Sequence, residues 1–252
     1  MPWVKSSRAG LLSIMTIQTL ALAACIQDDG GTATKPIPRE EFYWRKLHDS
    51  YVDRAKQKEI DLLFLGDSIT QGWNDNDTWK RNYQPRKASN MGIGGDRTEH
   101  VLWRLENGTV EGLSPRVVVL MIGTNNIGSN TPAQIAAGIR RIVQLLHEKL
   151  PTTRVLVLGV FPRGSTRAEG LTEELPDPRP GQINALIETV ADGKTVFYQD
   201  ISKVFLNEKG AIPKDLMPDF LHLSAAGYDR WADAIEPTLW KLLEDDRNVK
   251  QP

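Results

Sequence analysis

The chain has 252 residues, a formal net charge of −1 and 40% hydrophobic residues. That length suits one domain with a full-sized core, and the composition is ordinary for a globular protein. The near-neutral charge argues against nucleic acid or an anionic membrane surface as a partner, because either needs a concentrated basic stripe.

Lys5 and Arg8 precede a mostly apolar stretch from Leu11 to Ala24. A basic start followed by a short apolar run has the form of an export signal, too short and wrongly flanked for a membrane-spanning helix. The run ends Leu22-Ala23-Ala24-Cys25, which resembles the processing site of bacterial lipoproteins. Cys25 is the only cysteine, so it has no partner for an intramolecular disulfide. Acyl chains on it would anchor the protein, at roughly 0.8 kcal/mol per buried methylene. Residues 1–24 are therefore expected to be a signal peptide. Residues 25–38, rich in Gly, Pro and Asp and without apolar periodicity, are expected to be a lipidated cysteine and flexible tether. The expected location is the bacterial cell envelope, at the outer membrane or the periplasmic face of a membrane.

From Arg39 the pattern changes. Phe42, Trp44, Leu47, Tyr51 and Ala55 recur near helical spacing. Asp61 to Gly66 reads as a buried strand stopped by glycine, and Lys87 to Asn90 as a weaker one. Arg116 to Ile122 is the clearest strand, β-branched and apolar on both faces. Thr131-Pro132-Ala133-Gln134 opens a helix with a capping box and proline at its first position. Ile135, Ile139, Ile142, Val143 and Leu146 are its apolar stripe. Val155 to Leu158 and Thr195 to Tyr198 read as further strands, with a helix over Gly181 to Ala191 between them. Ser224 caps a final helix carrying Trp231, Ile235 and Leu239, with a bend expected at Pro237. Buried strands alternating with amphipathic helices predict an α/β fold, a parallel sheet covered on both faces. In such folds ligands bind beyond the carboxyl ends of the strands. The domain is expected to span 39–245, with a disordered tail over 246–252.

The residues that follow the strands carry the chemical signal. Ser68, in Gly66-Asp67-Ser68, stands at a strand-to-helix turn, where it is either an exposed reactive hydroxyl or a helix cap. Thr70 breaks the Gly-x-Ser-x-Gly pattern of the α/β-hydrolase elbow. The run Gly92-Ile93-Gly94-Gly95 either brings backbone N–H groups to a ligand or is a plain turn, and its spacing fails the dinucleotide fingerprint. Asn125 follows the third strand, where an amide can donate to a developing oxyanion or simply make a turn. Of the four histidines, only His222 has a carboxylate, Asp219, three residues before it. No second histidine or cysteine pairs with His222 at ligand spacing, so a metal site is not expected. Two features stay open. The stretch Phe161 to Pro180, with Arg163, Arg167 and Arg179, either shapes a pocket or is charged surface. Trp73 and Trp79 either pack in the core or rim, or stack on a sugar.

Together these blocks resemble the signature of the SGNH (GDSL) hydrolases: Asp61 to Gln71, Asn90 to Arg104, Gly123 to Asn126 and Asp219 to His222. Gly92 to Asp96, His100 to Leu105, Gly123 to Asn126 and Phe220 to Leu223 are similar to the branch of intracellular platelet-activating factor acetylhydrolase catalytic subunits. Two positions depart from the wider pattern: Ile69 stands where GDSL has Leu, and Asn126 where Asp is usual. The resemblance implies a three-layer α/β/α sandwich, flavodoxin-like, around a mostly five-stranded parallel sheet. It implies Ser68 as nucleophile, His222 as base and Asp219 as its orienting carboxylate. The oxyanion would be held by the Ser68 and Gly95 N–H groups and the Asn125 amide. Neither cofactor nor metal is implied. The expected activity is hydrolysis of short O-acyl esters, acetyl above all, of carbohydrates or similar extracytoplasmic molecules. A phospholipid acetylhydrolase or lysophospholipase and a catalytically silent binding module are the alternatives. The expected partners are the ester substrate and, through Cys25, the membrane, with no nucleic acid; homodimerisation is left open.

Overall fold

The computed structural model describes residues 30–165 and 170–244. The expected signal peptide, Cys25, Arg167 and the expected tail lie outside the described residues.

The domain opens with α1 (Phe42–Lys56), β1 (Leu62–Gly66) and the short helices α2 (Ser68–Gln71) and α3 (Asp77–Asn82). Next come β2 (Ala88–Gly92), α4 (Thr98–Glu106), β3 (Val117–Met121), α5 (Pro132–Lys149) and β4 (Arg154–Leu158). The described residues end with β5 (Glu173–Glu174), α6 (Arg179–Ile187), β6 (Val196–Gln199), β7 (Ile212–Pro213) and α7 (Ala225–Glu244). Five strands form one sheet in the order β2-β1-β3-β4-β6, all parallel. The strands β5 and β7 pair antiparallel as a separate two-stranded ribbon.

Side chains alternate across a strand, so each strand divides its residues between two cores. Leu63, Leu65, Val118, Leu120, Val155 and Val157 face one layer, with Val101 and Leu102 of α4 and Ile135, Ile139, Ile142 and Leu146 of α5. Leu62, Phe64, Val117, Val119, Leu156 and Leu158 face the other, with Trp231, Ile235 and Leu239 of α7. Every residue of β1 and β3 is buried, as a parallel sheet between helical layers requires. The three-layer sandwich expected from the sequence is the fold observed.

The helix signals hold locally as well. The Gln134 N–H donates to Thr131 Oγ1 at 3.2 Å and the Thr131 N–H to Gln134 Oε1 at 3.1 Å, the reciprocal bonds of a capping box. The Gly227 N–H donates to Ser224 Oγ at the start of α7. That helix continues through Pro237 to Glu244 as one element. The α3 helix was not foreseen; it begins where Asn76 Oδ1 accepts the Thr78 and Trp79 N–H groups.

Trp73 and Trp79 are core residues. Both are buried, in a ring cluster with Phe64, Tyr83 and Trp231, so sugar stacking is not their role.

The expected tether is corrected over its described part. From Gly30 the chain is docked on α4 and α5 rather than free. A 3₁₀ turn spans Gly31–Thr34, and Ala33 within it has no exposed surface. Thr98 Oγ1 donates to the Ala33 carbonyl at 2.8 Å, Asn130 Nδ2 to Thr32 Oγ1 at 3.0 Å, and the Ile37 N–H to the Glu99 carbonyl at 3.2 Å. A Cβ at Gly138 would come within 2.6 Å of the Ala33 carbonyl, so α5 needs glycine where this segment crosses it. The sequence hides this because side chains far along the chain supply the hydrogen bonds, and no apolar periodicity is required.

Candidate active site

The carboxyl ends of β1, β2 and β3 converge, with Gly66 level with Gly92 and with Met121. The turns leaving these strands carry Ser68, Gly95 and Asn125. After β1, Asp67 caps α2, its Oδ1 accepting the Ile69 N–H at 3.0 Å. Ser68 is the first residue of that helix, so its own N–H has no partner inside the helix.

Asp219 and His222 arrive from the turn before α7. Phe220 adopts φ 57°, a left-handed conformation that costs a bulky residue strain of order 1 kcal/mol. Burial of its ring in the second core holds it there. The fold of this turn lets Asp219 Oδ1 accept the Leu221 N–H at 3.1 Å and the His222 N–H at 2.7 Å. Asp219 Oδ2 meets His222 Nδ1 at 2.7 Å, and His222 Nε2 meets Ser68 Oγ at 2.9 Å. The carboxylate fixes the tautomer, with the proton on Nδ1 and Nε2 left to accept from the serine hydroxyl. Burial works against the Asp219 charge, but the His222 ring and the two N–H groups outweigh it and hold the carboxyl below its ordinary value. The His222 and Asp219 side chains are 46% and 53% exposed, so the chain of contacts lies open to solvent.

Gly95 has φ 79°, a conformation only glycine adopts freely. Its N–H finds no protein acceptor among the described residues. Asn125 spends one amide hydrogen on the Asp96 carbonyl at 2.9 Å, which orients the amide and leaves the second hydrogen free. The structure thus brings Ser68, His222 and Asp219 into contact, and joins the Gly95 loop to Asn125 through Asp96.

Several residues at this edge have partners that the sequence does not reveal. Arg163 donates to the Thr124 carbonyl at 2.9 Å, and Arg179 to the Ile127 carbonyl at 3.0 Å while pairing with Asp177. Both arginines therefore brace the turn that carries Asn125. Asp96 and Arg104, both fully buried, pair beneath the glycine loop at 3.0 Å. The Trp44 indole donates to Asp96 at 2.6 Å. His100 accepts the Arg97 N–H, and burial pushes its pKa down to about 4, so it stays neutral. Among the described residues no group of three or more His, Cys, Asp or Glu is placed to hold a metal ion. A cavity of about 310 Å³ lined by Asp61, Arg86, Arg116 and Trp240 lies at the amino ends of β1 and β3, the edge opposite Ser68.

These features place Ser68, His222 and Asp219 in contact at the carboxyl edge of a parallel sheet in an α/β fold. The model of the GDSL-like lipase/acylhydrolase family matches residues 64–230. Platelet-activating factor acetylhydrolase IB subunit alpha1 of Homo sapiens is 38% identical over 228 residues, covering 87% of this chain and 94% of that protein. A GDSL-like lipase from Bacteroides thetaiotaomicron superposes with a TM-score of 0.59 at 19% identity, over 77% of this chain and 97% of the other. A carbohydrate esterase of family 3 from Talaromyces cellulolyticus superposes with a TM-score of 0.54 at 19% identity, over 74% and 99%. At that identity the two solved structures speak for the fold alone. The chain belongs to the GDSL-like lipase/acylhydrolase family, and it is an ester hydrolase.

Asp67 gives the site a pH signature. Burial pushes its carboxyl up to about 7, against the opposing pull of the Ile69 N–H and Arg163. In the unfolded chain the group titrates near 3.9. Between those values the native state binds the extra proton, so this contribution to stability is full below about pH 4 and is lost as pH rises through about 7. Asp67→Asn keeps the acceptor for Ile69 and removes the titration. Urea denaturation from pH 4 to 8 should show a wild-type decline that is shallower in Asp67→Asn. Equal slopes would mean that the carboxyl is not perturbed in this way.

Proposed function

We infer that the protein removes short acyl groups, acetyl foremost, from carbohydrate or similar extracytoplasmic esters, with Ser68, His222 and Asp219 as its catalytic triad. The observation that carries this reading is the continuous contact from Asp219 Oδ2 through the His222 ring to Ser68 Oγ, at 2.7 and 2.9 Å. Ser68 Oγ attacks the ester carbonyl carbon while His222 Nε2 takes its proton. Asp219 holds the ring in register and stabilises the imidazolium. The oxyanion is met by the Ser68 and Gly95 N–H groups and the free Asn125 hydrogen. Collapse breaks the carbon–oxygen bond to the alcohol, which leaves with the proton from His222. Water, deprotonated by the same nitrogen, then attacks the acyl-serine; the acyl–Oγ bond breaks, His222 returns the proton to Ser68 Oγ, and the carboxylic acid leaves.

The exposed His222 and Asp219 side chains support an ester carried on a bulky alcohol, since such a leaving group can stay outside the protein. The export signal read in the sequence supports an envelope substrate. A second reading has its own observation: the relatives named for platelet-activating factor acetylhydrolase favour an acetylated phospholipid as substrate.

Ser68→Ala and His222→Ala should each lower kcat by on the order of 10⁵–10⁶, because the triad acts as a unit. A serine-reactive phosphonate should label the wild type at Ser68 only. A tenth of wild-type turnover in either variant would sink that assignment.

Against p-nitrophenyl esters, acetate should be cleaved far faster than octanoate. A groove for long chains would reverse this, since each buried methylene adds about 0.8 kcal/mol. Specificity constants rising from acetate to octanoate would favour the lipid reading, and a parallel panel of acetylated xylans and acetyl phospholipids separates the two alcohols.

We also infer that Cys25 is lipidated. Cys25→Ser should move the protein out of the membrane fraction and abolish labelling by radioactive palmitate, with specific activity intact. Membrane retention without label would identify the apolar N-terminus as an uncleaved anchor instead.

A further inference from the structure

We propose that Arg39 is a positioning residue for the oxyanion-binding loop, holding the Gly94–Gly95 peptide so that the Gly95 N–H faces Ser68. The inference rests on the reading of Ser68 as nucleophile and Gly95 as oxyanion donor.

Arg39 sits at the end of the docked N-terminal segment, immediately after Pro38 and before α1. Its Nη1 donates to the Gly94 carbonyl at 2.6 Å. Its other nitrogens are committed elsewhere: Nη2 to Glu41 at 2.9 Å and Nε to the same carboxylate at 3.3 Å. Asp96, buried beneath the loop, lies 3.6 Å from Nη1. The guanidinium is therefore held between an exposed carboxylate and a buried one, with Nη1 aimed at the Gly94 carbonyl.

The peptide joining Gly94 to Gly95 is trans, so its C=O and N–H point in opposite directions. A cation fixed on the carbonyl side sets the direction of the N–H on the far side. A Cβ placed on Gly94 would lie 3.7 Å from Ser68 Cβ, so the loop runs directly past the serine. Arg39 also occupies the space behind Gly95. A Cβ there would meet Nη1 at 2.9 Å. The preceding peptide is pinned as well, because the Gly94 N–H donates to Gln71 Oε1 at 2.7 Å, and Gln71 Nε2 donates to the Tyr43 hydroxyl at 2.8 Å. Two successive glycines have wide conformational freedom. Without these bonds the Gly95 N–H would sample directions away from the serine. The charge on Arg39 contributes further by polarising the peptide it binds, which strengthens the opposite N–H as a donor.

An oxyanion donor acts mainly in the transition state, so its loss should appear in kcat. Arg39→Met keeps the apolar stem and removes the cation. It should lower kcat for p-nitrophenyl acetate by about 10- to 100-fold, less than the ~10²–10³ that loss of a direct donor costs. KM should stay within about twofold. Arg39→Lys, which can still reach the carbonyl with a charge, should recover most of the loss, and so should guanidinium ion added to Arg39→Met. Affinity for a trifluoromethyl ketone, which forms a tetrahedral anion on serine, should fall in step with kcat. Phosphonate labelling of the wild type tests the underlying reading separately, because label away from Ser68 overturns that reading and this inference with it. With Ser68 labelled, an unchanged kcat in Arg39→Met, or a change in KM alone, overturns the role of Arg39. If Arg39→Met fails to fold, Arg39→Lys decides: kcat with a reduction beyond 100-fold at wild-type thermal stability overturns the proposal, and near-wild-type kcat supports it.

Discussion

Asp96 and Arg104 pair at 3.0 Å with neither side chain reaching solvent. Two charges taken out of water are costly, by several kcal/mol each, unless every remaining hydrogen-bonding atom is satisfied. Here that demand organises the edge of the sheet. Arg104 donates to the Met91 carbonyl at 2.8 Å, near the end of β2, and Nη2 lies 3.4 Å from the Gly66 carbonyl at the end of β1. The Trp44 indole on α1 closes on Asp96, and the Asp96 main-chain carbonyl receives the Asn125 amide from beyond β3. One buried pair thereby fixes three strand ends, two helices and the glycine loop in a common frame. Removing either partner would leave the other charge buried and alone, a loss of about 3–5 kcal/mol.

The parts with chemical consequence stand on top of this dry base and are open above it. The serine, the glycine loop and the amide are set by backbone direction and by bonds made below, whereas the His222 ring and Asp219 are about half exposed. The Asn125 amide is thus held by a hydrogen bond from below, and the His222–Asp219 pair stands open to solvent. The arginines of the long loop take part in the same way. Arg163 and Arg179 spend their donors on carbonyls of the Asn125 turn, so charge that looks available in the sequence is consumed internally.

The N-terminal segment shows where sequence patterns lose their force. Its Gly, Pro and Asp residues, without apolar periodicity, predict a tether, and local propensity offers nothing else. Yet Ala33 is buried, because Thr98 on α4 and Asn130 before α5 hold the strip against the helices. The approach also needs glycine at position 138, more than a hundred residues away. Trp73 and Trp79 present the same difficulty in reverse: an aromatic after a strand can line a site or fill a core, and only the facing residues on α3 and α7 decide between them.

Local physics wrote much of the protein into its sequence. Apolar runs stopped by glycine gave the strands, 3.6-residue periodicity and a capping box gave the main helices, and the residues following the strands marked the edge where Ser68, Gly95 and Asn125 gather. These features depend on near neighbours along the chain, so one sequence suffices to read them. The tertiary structure alone decided which charges are buried, which arginines are braces, and that Asp219, His222 and Ser68 touch although the last two are separated by 154 positions. Burial and hydrogen-bond geometry are properties of surfaces brought together by the packing of distant segments. A sequence lists the groups, but the dielectric around them and the partners within reach exist only once the layers have closed.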